Sequence, residues 1–428
     1  MKCTVKKGKT LLVDGPASVN LLSGGAKVLG ATLKAGEKVV IREGKRMPFE
    51  VSKQVVFDLM LGESATFEEI EGSTIPPSWE NASMEIVSYE KPVTVMVMGG
   101  VDSGKTSFCT YLANKALKRR RKIAIIDGDL GQSDIGPPST IGFSFVRTPI
   151  KDVFEMEAEN AYFVGLTSPS RAVNIVVEGL NMLKGKVLET GVNFLIVNTD
   201  GWIEGEDAAR YKVRLMERVA PDVVVGIQQG DELTPILSAL KEMKTLIINS
   251  PPAIHKRNRE KRKVLRDLSY KKYLKEARVQ SFPLSWVRVE GAPFGTGVPL
   301  TVEQMENVRR SLGISLVYGE ETPTTVFIVL KGDHWINEEL VKRIKEGFGK
   351  TVKVIKEGEE QGLLLGLLDA SGNFLGIGVL CGVDYKRRVM KVYTPVSENV
   401  STIHVGQMKL DKTGGEVGVN PLFMDYEP

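Results

Sequence analysis

One octapeptide constrains this chain more than any other stretch: Gly99-Gly100-Val101-Asp102-Ser103-Gly104-Lys105-Thr106, with the spacing Gly-x-x-x-x-Gly-Lys-Thr. An apolar, β-rich run at 93–98 precedes it, and a helix-compatible stretch from Ser107 to 117 follows. Strand, glycine loop and helix are the setting in which this motif cradles phosphates. Glycines let backbone N–H groups converge on an anion at a helix N-terminus. Lys105 then reaches the β- and γ-phosphates, and the Thr106 hydroxyl is placed to ligate Mg²⁺. The motif therefore predicts a nucleoside triphosphate site within an α/β sheet.

A chain of 428 residues is long enough for two or three domains. A charged fraction of 26% and a hydrophobic fraction of 42% predict an ordinary globular protein, and with a net charge of only +4 the distribution of charge matters more than its sum. Cys3, Cys109 and Cys381 are scattered without metal-ligand spacing, which predicts a reduced, cytoplasmic protein. No signal peptide and no uninterrupted 18-residue apolar run is evident, so no membrane partner is expected. The greasiest stretch, 363–383, is interrupted by Asp369-Ala370-Ser371-Gly372-Asn373 and reads as a β-hairpin.

Three regions follow from the changing periodicity. Residues 1–90 carry short alternating strands (10–13, 19–22, 26–29, 38–41, 65–70) punctuated by glycines, a sandwich-like all-β domain whose exit is marked by Pro76-Pro77 and Pro92. Residues 91–290 alternate strand (93–98, 122–127, 161–166, 194–198, 222–227, 245–248) with helix (173–183, 208–219, 235–243), an α/β P-loop domain with a mostly parallel sheet. Residues 291–428 return to short strands with helices at 302–312 and 337–348, a β-rich α+β domain.

Chemistry concentrates at the strand ends. Asp127 and Asp129 close the second strand and point to one side, at the carboxyl edge where such sheets bind ligands. One can hold Mg²⁺ through water while the other accepts a proton from an attacking hydroxyl, and Asp129 is favoured as the base. Residues 256–263 pack six cations into eight positions beyond the last core strand. Such a run reads either as a solvated face or as a lid closing over phosphates, within a segment spanning 251–278. A second basic run, 118–122, reads as a solvated helix end complementing the helix dipole. Trp202, in the loop Asn198-Thr199-Asp200-Gly201-Trp202, suits either stacking on a base or anchoring its loop in the core. Thr167 and Ser168 offer hydroxyls at the third strand end, or simply cap a helix. His255, His334 and His404 form no cluster in the sequence.

Together these segments resemble the polynucleotide 5′-hydroxyl kinases that include the kinase subunit of the mRNA 3′-end cleavage machinery and the pre-rRNA-processing kinases, and most of all an archaeal member. The resemblance spans nearly the whole chain. It rests on Asp127-Gly128-Asp129-Leu130-Gly131-Gln132, on the clasp-like segment from Phe163 to Pro169, and on the Asn198–Trp202 loop. Arg257 and Arg262, followed by Arg266-Asp267 and Tyr273, resemble an arginine lid. Residues 21–30 (Leu-Leu-Ser-Gly-Gly-Ala-Lys-Val-Leu-Gly) are similar to the strand pair beside the nucleotide base.

The resemblance implies ATP as phosphoryl donor, Mg²⁺ as cofactor, and 5′-hydroxyl ends of RNA as acceptor, with DNA a second candidate. RNA-processing proteins of unspecified identity are the implied partners. It gives Lys105 and Thr106 to ATP and Mg²⁺, Asp129 to the 5′-hydroxyl, and Gln132 to the metal waters. Thr167 and Ser168 would clasp the phosphates, Trp202 would stack on the terminal nucleotide, and Arg257 and Arg262 would stabilise the transferring phosphoryl. Two other readings stay open: a nucleotide-hydrolysing assembly switch, and a scaffold that binds ATP without catalysis.

Overall fold

The computed structural model describes residues 1–240, 242–254, 257–313, 315–332 and 338–420. The chain separates into two compact units, Met1–Val164 with Ser168–Arg266, and Gly165–Thr167 with Asp267–Pro428.

The first unit holds two seven-stranded sheets. In the N-terminal one, two long strands, Ala17–Val28 and Arg46–Leu61, pair antiparallel and carry the shorter strands Lys2–Val5, Lys9–Asp14, Ala31–Thr32 and Lys38–Ile41, with Phe67–Glu71 added at the edge beside Lys9–Asp14. The stretches 19–22 and 26–29, expected as separate strands, are mostly one strand bent by register shifts around Ser23 and Gly25. Gly24 makes the bend possible: its φ is +96°, and a Cβ there would lie 2.1 Å from the Gln54 carbonyl oxygen. Alternation along both long strands buries Val19, Leu21, Phe49, Phe57 and Leu59 in a core of their own.

The second sheet has the order (Asn160–Phe163)-(Thr140–Val146)-(Ile123–Gly128)-(Phe194–Thr199)-(Val93–Gly99)-(Val223–Gln228)-(Thr245–Asn249). Its central strands are parallel and nearly continuously apolar, as strands buried on both faces must be. Thr140–Val146 runs antiparallel beside Ile123–Gly128 and was not foreseen, since it follows a Gly-Pro-Pro segment that reads as loop. The helix Pro77–Val87 was missed for the same reason: Pro76-Pro77 marks a domain exit but also suits a first helical turn. That helix buries Trp79, whose indole N–H donates to the Asn249 carbonyl at 2.9 Å and whose ring packs edge-on against Phe108.

Between the strands lie the P-loop helix Lys105–Lys118, then Val173–Glu189 and Glu206–Val219. The helix expected at 235–243 is a single turn, Thr234–Leu237. The basic run 118–122 is not merely a solvated face. Arg121 donates to the carbonyls of Tyr89, Lys91 and Asn193, and Lys118 to that of Gly30. The guanidinium thereby ties together the segments that lead into the strands Val93–Gly99 and Phe194–Thr199.

In the second unit a sheet of order (Arg278–Pro283)-(Val389–Thr394)-(Phe374–Asp384)-(Leu363–Leu368)-(Thr402–Leu410)-(Arg288–Glu290) forms the larger layer. The expected hairpin is present, its turn tied by Asp369 Oδ1 accepting from the amides of Ser371 and Asn373. A four-stranded sheet with the helices Val302–Leu312 and Glu338–Phe348 completes this unit. Asn337, the expected start of the second helix, lies outside the described residues.

Candidate functional site

The site gathers at the carboxyl ends of the parallel strands of the first unit. Gly104, with φ +100°, turns the P-loop into its helix, and Asp102 also adopts a left-handed backbone, at φ 54°. Aspartate tolerates that conformation better than most side chains. Gly99 leaves no room for a side chain, because a Cβ would lie 2.5 Å from the Ile227 carbonyl oxygen. Lys105 is buried, and its Nζ donates to the carbonyls of Gly99 (3.0 Å) and Gly100 (2.7 Å). Burial lowers its pKa, with the charge of Asp129 pulling the other way. The Ser103 hydroxyl is buried without a partner, Ser107 lies in the first helical turn, and Val101 is exposed.

Asn198 links the P-loop to the second acidic strand end. Its side-chain amide donates to Asp127 Oδ1 at 2.9 Å and to Thr106 Oγ1 at 3.3 Å. Asp127 is 1% exposed and also accepts from the amides of Asp129, Asp134 and Ile135. Burial, with Asp134 and Asp129 nearby, pushes its pKa up to about 7 despite those donors. A buried carboxylate beside a hydroxyl is the hard-oxygen pair that Mg²⁺ takes, so the residues fit that ion. Asp129 Oδ1 accepts from the amides of Gly131 and Gln132 at 3.1 and 3.0 Å. Its pKa is raised by burial, countered by Lys105 and by those hydrogen bonds.

The lid run meets the P-loop at Asp102. The Arg257 amide donates to Asp102 Oδ2 at 2.9 Å and its Nε to Oδ1 at 2.8 Å, while an Arg262 guanidinium nitrogen lies 3.7 Å from Oδ2. The Asp102 side chain is only 5% exposed beneath these two cations. Gln132 joins them: its Oε1 accepts from Arg257 at 3.3 Å, and its amide donates to the Arg262 carbonyl at 3.3 Å. Arg259 begins the helix Arg259–Tyr273. Lys256 and His255 lie outside the described residues, as does His334. His404 lies 2.6 Å from Glu290, in the second unit.

The loop bearing Trp202 is fixed from below. Buried Lys212 pairs with Asp200 at 2.9 Å, the Tyr211 hydroxyl donates to the same carboxylate at 2.7 Å, and the Trp202 amide donates to Asp200 Oδ1 at 2.9 Å. Trp202 is half-buried, with one ring face stacked on Tyr211 at 5.5 Å and 23°. It is thus neither a fully buried core anchor nor a free ring. Gly201 lies so close to the P-loop that a Cβ would fall 2.6 Å from a Val101 methyl. The Ser168 hydroxyl pairs with that of Ser170 at 3.0 Å. Thr167 belongs to the second unit, where its hydroxyl lies 4.0 Å from Met408 Sδ.

Sequence reading missed three participants. Arg42, from the N-terminal domain, pairs with Asp134 and lies over the Phe154 ring at 4.1 Å, which ties that domain to the segment holding Asp127. Asn198 as a bridge and Lys212 as a buried counter-ion were also missed. A lysine on the apolar face of the amphipathic helix Glu206–Val219 was the one available signal.

The profile described as "mRNA cleavage and polyadenylation factor CLP1 P-loop" matches residues 99–276. The chain is 29% identical over 348 residues to the polyribonucleotide 5′-hydroxyl-kinase of Pyrococcus furiosus, covering 81% of this chain and 95% of that one. It is 27% identical over 350 residues to that of Methanocaldococcus jannaschii, covering 81% and 94%. With the polyribonucleotide 5′-hydroxyl-kinase Clp1 of Xenopus tropicalis it shares 25% over 336 residues, covering 69% and 74%. Among solved structures, Clp1p from the Clp1p–Pcf11p complex superposes with a TM-score of 0.65 at 13% identity, covering 96% of this chain and 97% of that one, which shows a common fold. With the P-loop, the Asp-x-Asp-x-Gly-Gln strand end and the arginine-rich run all inside the matched span, residues 99–276 carry a domain of the CLP1 P-loop family.

Proposed function

We propose that this protein is an ATP-dependent polynucleotide 5′-hydroxyl kinase that moves the γ-phosphoryl of ATP to the 5′-hydroxyl of RNA, with DNA as a second acceptor. The observation that carries the reading is the convergence on one strand edge of Lys105, the Thr106–Asn198–Asp127 chain, Asp129 and the two lid arginines. The names of the relatives that match most of the chain support the same activity.

The residues divide the work. Backbone amides of 99–104 and the side chain of Lys105 bind the phosphates once Lys105 leaves the carbonyls of Gly99 and Gly100. Thr106 and Asp127 would hold Mg²⁺, with Gln132 toward its waters, and the ion would supply charge neutralisation at the phosphates. Asp129 takes the proton of the 5′-hydroxyl as its oxygen bonds to the γ-phosphorus, and the bond to the bridging oxygen breaks to release ADP. Arg257 and Arg262 exchange Asp102 for the transferring phosphoryl and stabilise charge that is largest in the transition state. Trp202 offers its open face to the terminal base, and Thr167 with Ser168 supplies hydroxyls to the phosphates.

The three-domain division at 90 and 290, a cytoplasmic location and an RNA-processing protein partner complete the proposal. Among the described residues no helix is long and apolar enough to cross a membrane.

Incubation with γ-labelled ATP and 5′-hydroxyl oligonucleotides tests it. Label transferred to the oligonucleotide supports the kinase. Release of labelled phosphate alone would instead identify a hydrolytic switch, and neither product would identify a scaffold.

A further inference from the structure

The most exposed large aromatic side chain among the described residues belongs to the second unit. Trp286 is 80% exposed, in the turn that leaves the strand Arg278–Pro283 of the second unit. Its presentation is built in. Leu284 and Val287, on either side, are buried in the core of this unit, which turns Ser285 and Trp286 outward. The Trp286 amide closes the turn on the Pro283 carbonyl at 2.9 Å, and the Leu284 amide donates to the Arg388 carbonyl at 2.9 Å. The indole is therefore held in water by a fixed backbone. A core with room for its neighbours supplies no folding reason for that exposure.

Basic residues lie on the segments beside it. The Leu284–Arg388 bond and the pairing of Pro283 with Val389 bring the hairpin turn Lys386-Arg387-Arg388 beside the Trp286 turn. Arg288, two residues on, has a side chain 77% exposed, and that of Arg387 is 82% exposed. Glu290 and Asp384 pair with these two arginines, which leaves Lys386 and Arg388 in excess. Lys391 adds an exposed cation on the adjoining strand, next to the edge strand Arg278–Pro283.

An aromatic face set among cations is the chemistry that binds single-stranded nucleic acid: the ring stacks on a base while the cations follow the phosphates. We propose that Trp286 and the 386–388 turn form a second contact for single-stranded RNA, engaging the acceptor strand away from its 5′ end. The inference rests on the kinase reading for the identity of the strand, but not on its chemistry. A protein partner, the other class an exposed tryptophan can serve, would not by itself call for the excess of cations.

The test uses the full chain, without ATP for binding and with ATP for transfer. Fluorescence anisotropy follows binding of a labelled 5′-hydroxyl 20-mer of RNA, and transfer assays use the same 20-mer and a dinucleotide. Trp286→Ala should weaken 20-mer binding about 5- to 150-fold, Trp286→Phe should retain most of it, and Arg387→Glu should flatten the salt dependence. KM for the dinucleotide should stay within about two-fold of wild type, since so short an acceptor has no strand beyond its 5′ end for this contact to engage. Unchanged 20-mer affinity in a folded Trp286→Ala variant would overturn the proposal and leave the patch to a protein. Equal losses for the 20-mer and the dinucleotide would overturn it too, by placing Trp286 at the acceptor end itself. Trp286-dependent binding in a protein that transfers no phosphoryl would sustain this site while removing the kinase reading.

Discussion

Arg257 grips Asp102 with its backbone amide and its guanidinium together, joining the lid to the fourth residue of the P-loop across 155 positions of sequence. A carboxylate inside a phosphate-binding loop repels the anion that the loop exists to hold. Here it occupies the lid arginines, so the lid has a defined position before nucleotide arrives. Asp102→Asn weakens that hold while leaving both arginines able to meet a phosphoryl group. The variant should be cut within 257–263 several-fold faster by trypsin when nucleotide-free, with kcat within a few-fold of wild type. Unchanged proteolysis would show that Asp102 does not order the lid.

Arg262 is the sharper probe of catalysis, because it sits at 3.7 Å from Asp102 rather than locked against it. Arg262→Ala should cut kcat by about 10³-fold or more, the scale of an arginine finger, with ATP affinity changed only a few-fold. Arg262→Lys should recover part of the loss, since an ammonium cannot present a planar fork. Separate determination of kcat and KM at two salt concentrations distinguishes this from a simple RNA-binding patch, whose loss would appear in KM and its salt slope.

For Asp129, the substitution Asp129→Asn keeps the Oδ1 acceptor that ties Gly131 and Gln132. ATP affinity should persist while single-turnover transfer drops by about 100-fold or more. Near-normal turnover would reassign the base.

Trp202 is half-buried and stacks on Tyr211 without joining the buried core, so its removal leaves that core in place. Trp202→Ala should weaken 5′-hydroxyl oligonucleotide binding by about 1–3 kcal/mol and leave ATP binding unchanged. Circular dichroism checks the fold, and a variant that unfolds would mark the ring as a structural anchor instead.

Asp127 gives a pH dependence with a definite sign. Its pKa rises from 3.8 in the open chain to about 7 in the folded, metal-free site. The folded state therefore binds this proton more tightly, and the stability it contributes is complete below about pH 4 and lost as pH rises to about 7. In EDTA, the wild type should lose Tm relative to Asp127→Asn across that interval. Parallel Tm profiles would show that Asp127 is not burdened in this way.

Much of this architecture was legible because it is local. The P-loop, the paired aspartates at 127 and 129 and the strand–helix alternation are patterns of short sequence range, and the structure keeps them together. What escaped was long-range. Nothing near Arg42 announces Asp134, 92 residues away, and Lys212 gives no sign that Asp200 is its counter-ion until the helix Glu206–Val219 docks. Ambiguous punctuation accounts for the rest. Pro76-Pro77 both ends a β region and starts a helix, and the Gly-Pro-Pro before Thr140 conceals the strand that follows.

The missing side chain of Gly201 has a mechanical consequence. Because the loop that carries Trp202 touches the backbone of Val101 with no atom to spare, the two loops behave as one rigid part. A bulkier residue at 201 would push the P-loop out of register or tip the indole away, so nucleotide affinity and oligonucleotide affinity would decline in step. Insertions that lengthen residues 199–203 meet the same restriction, and drift in this loop is confined to changes that the P-loop can follow.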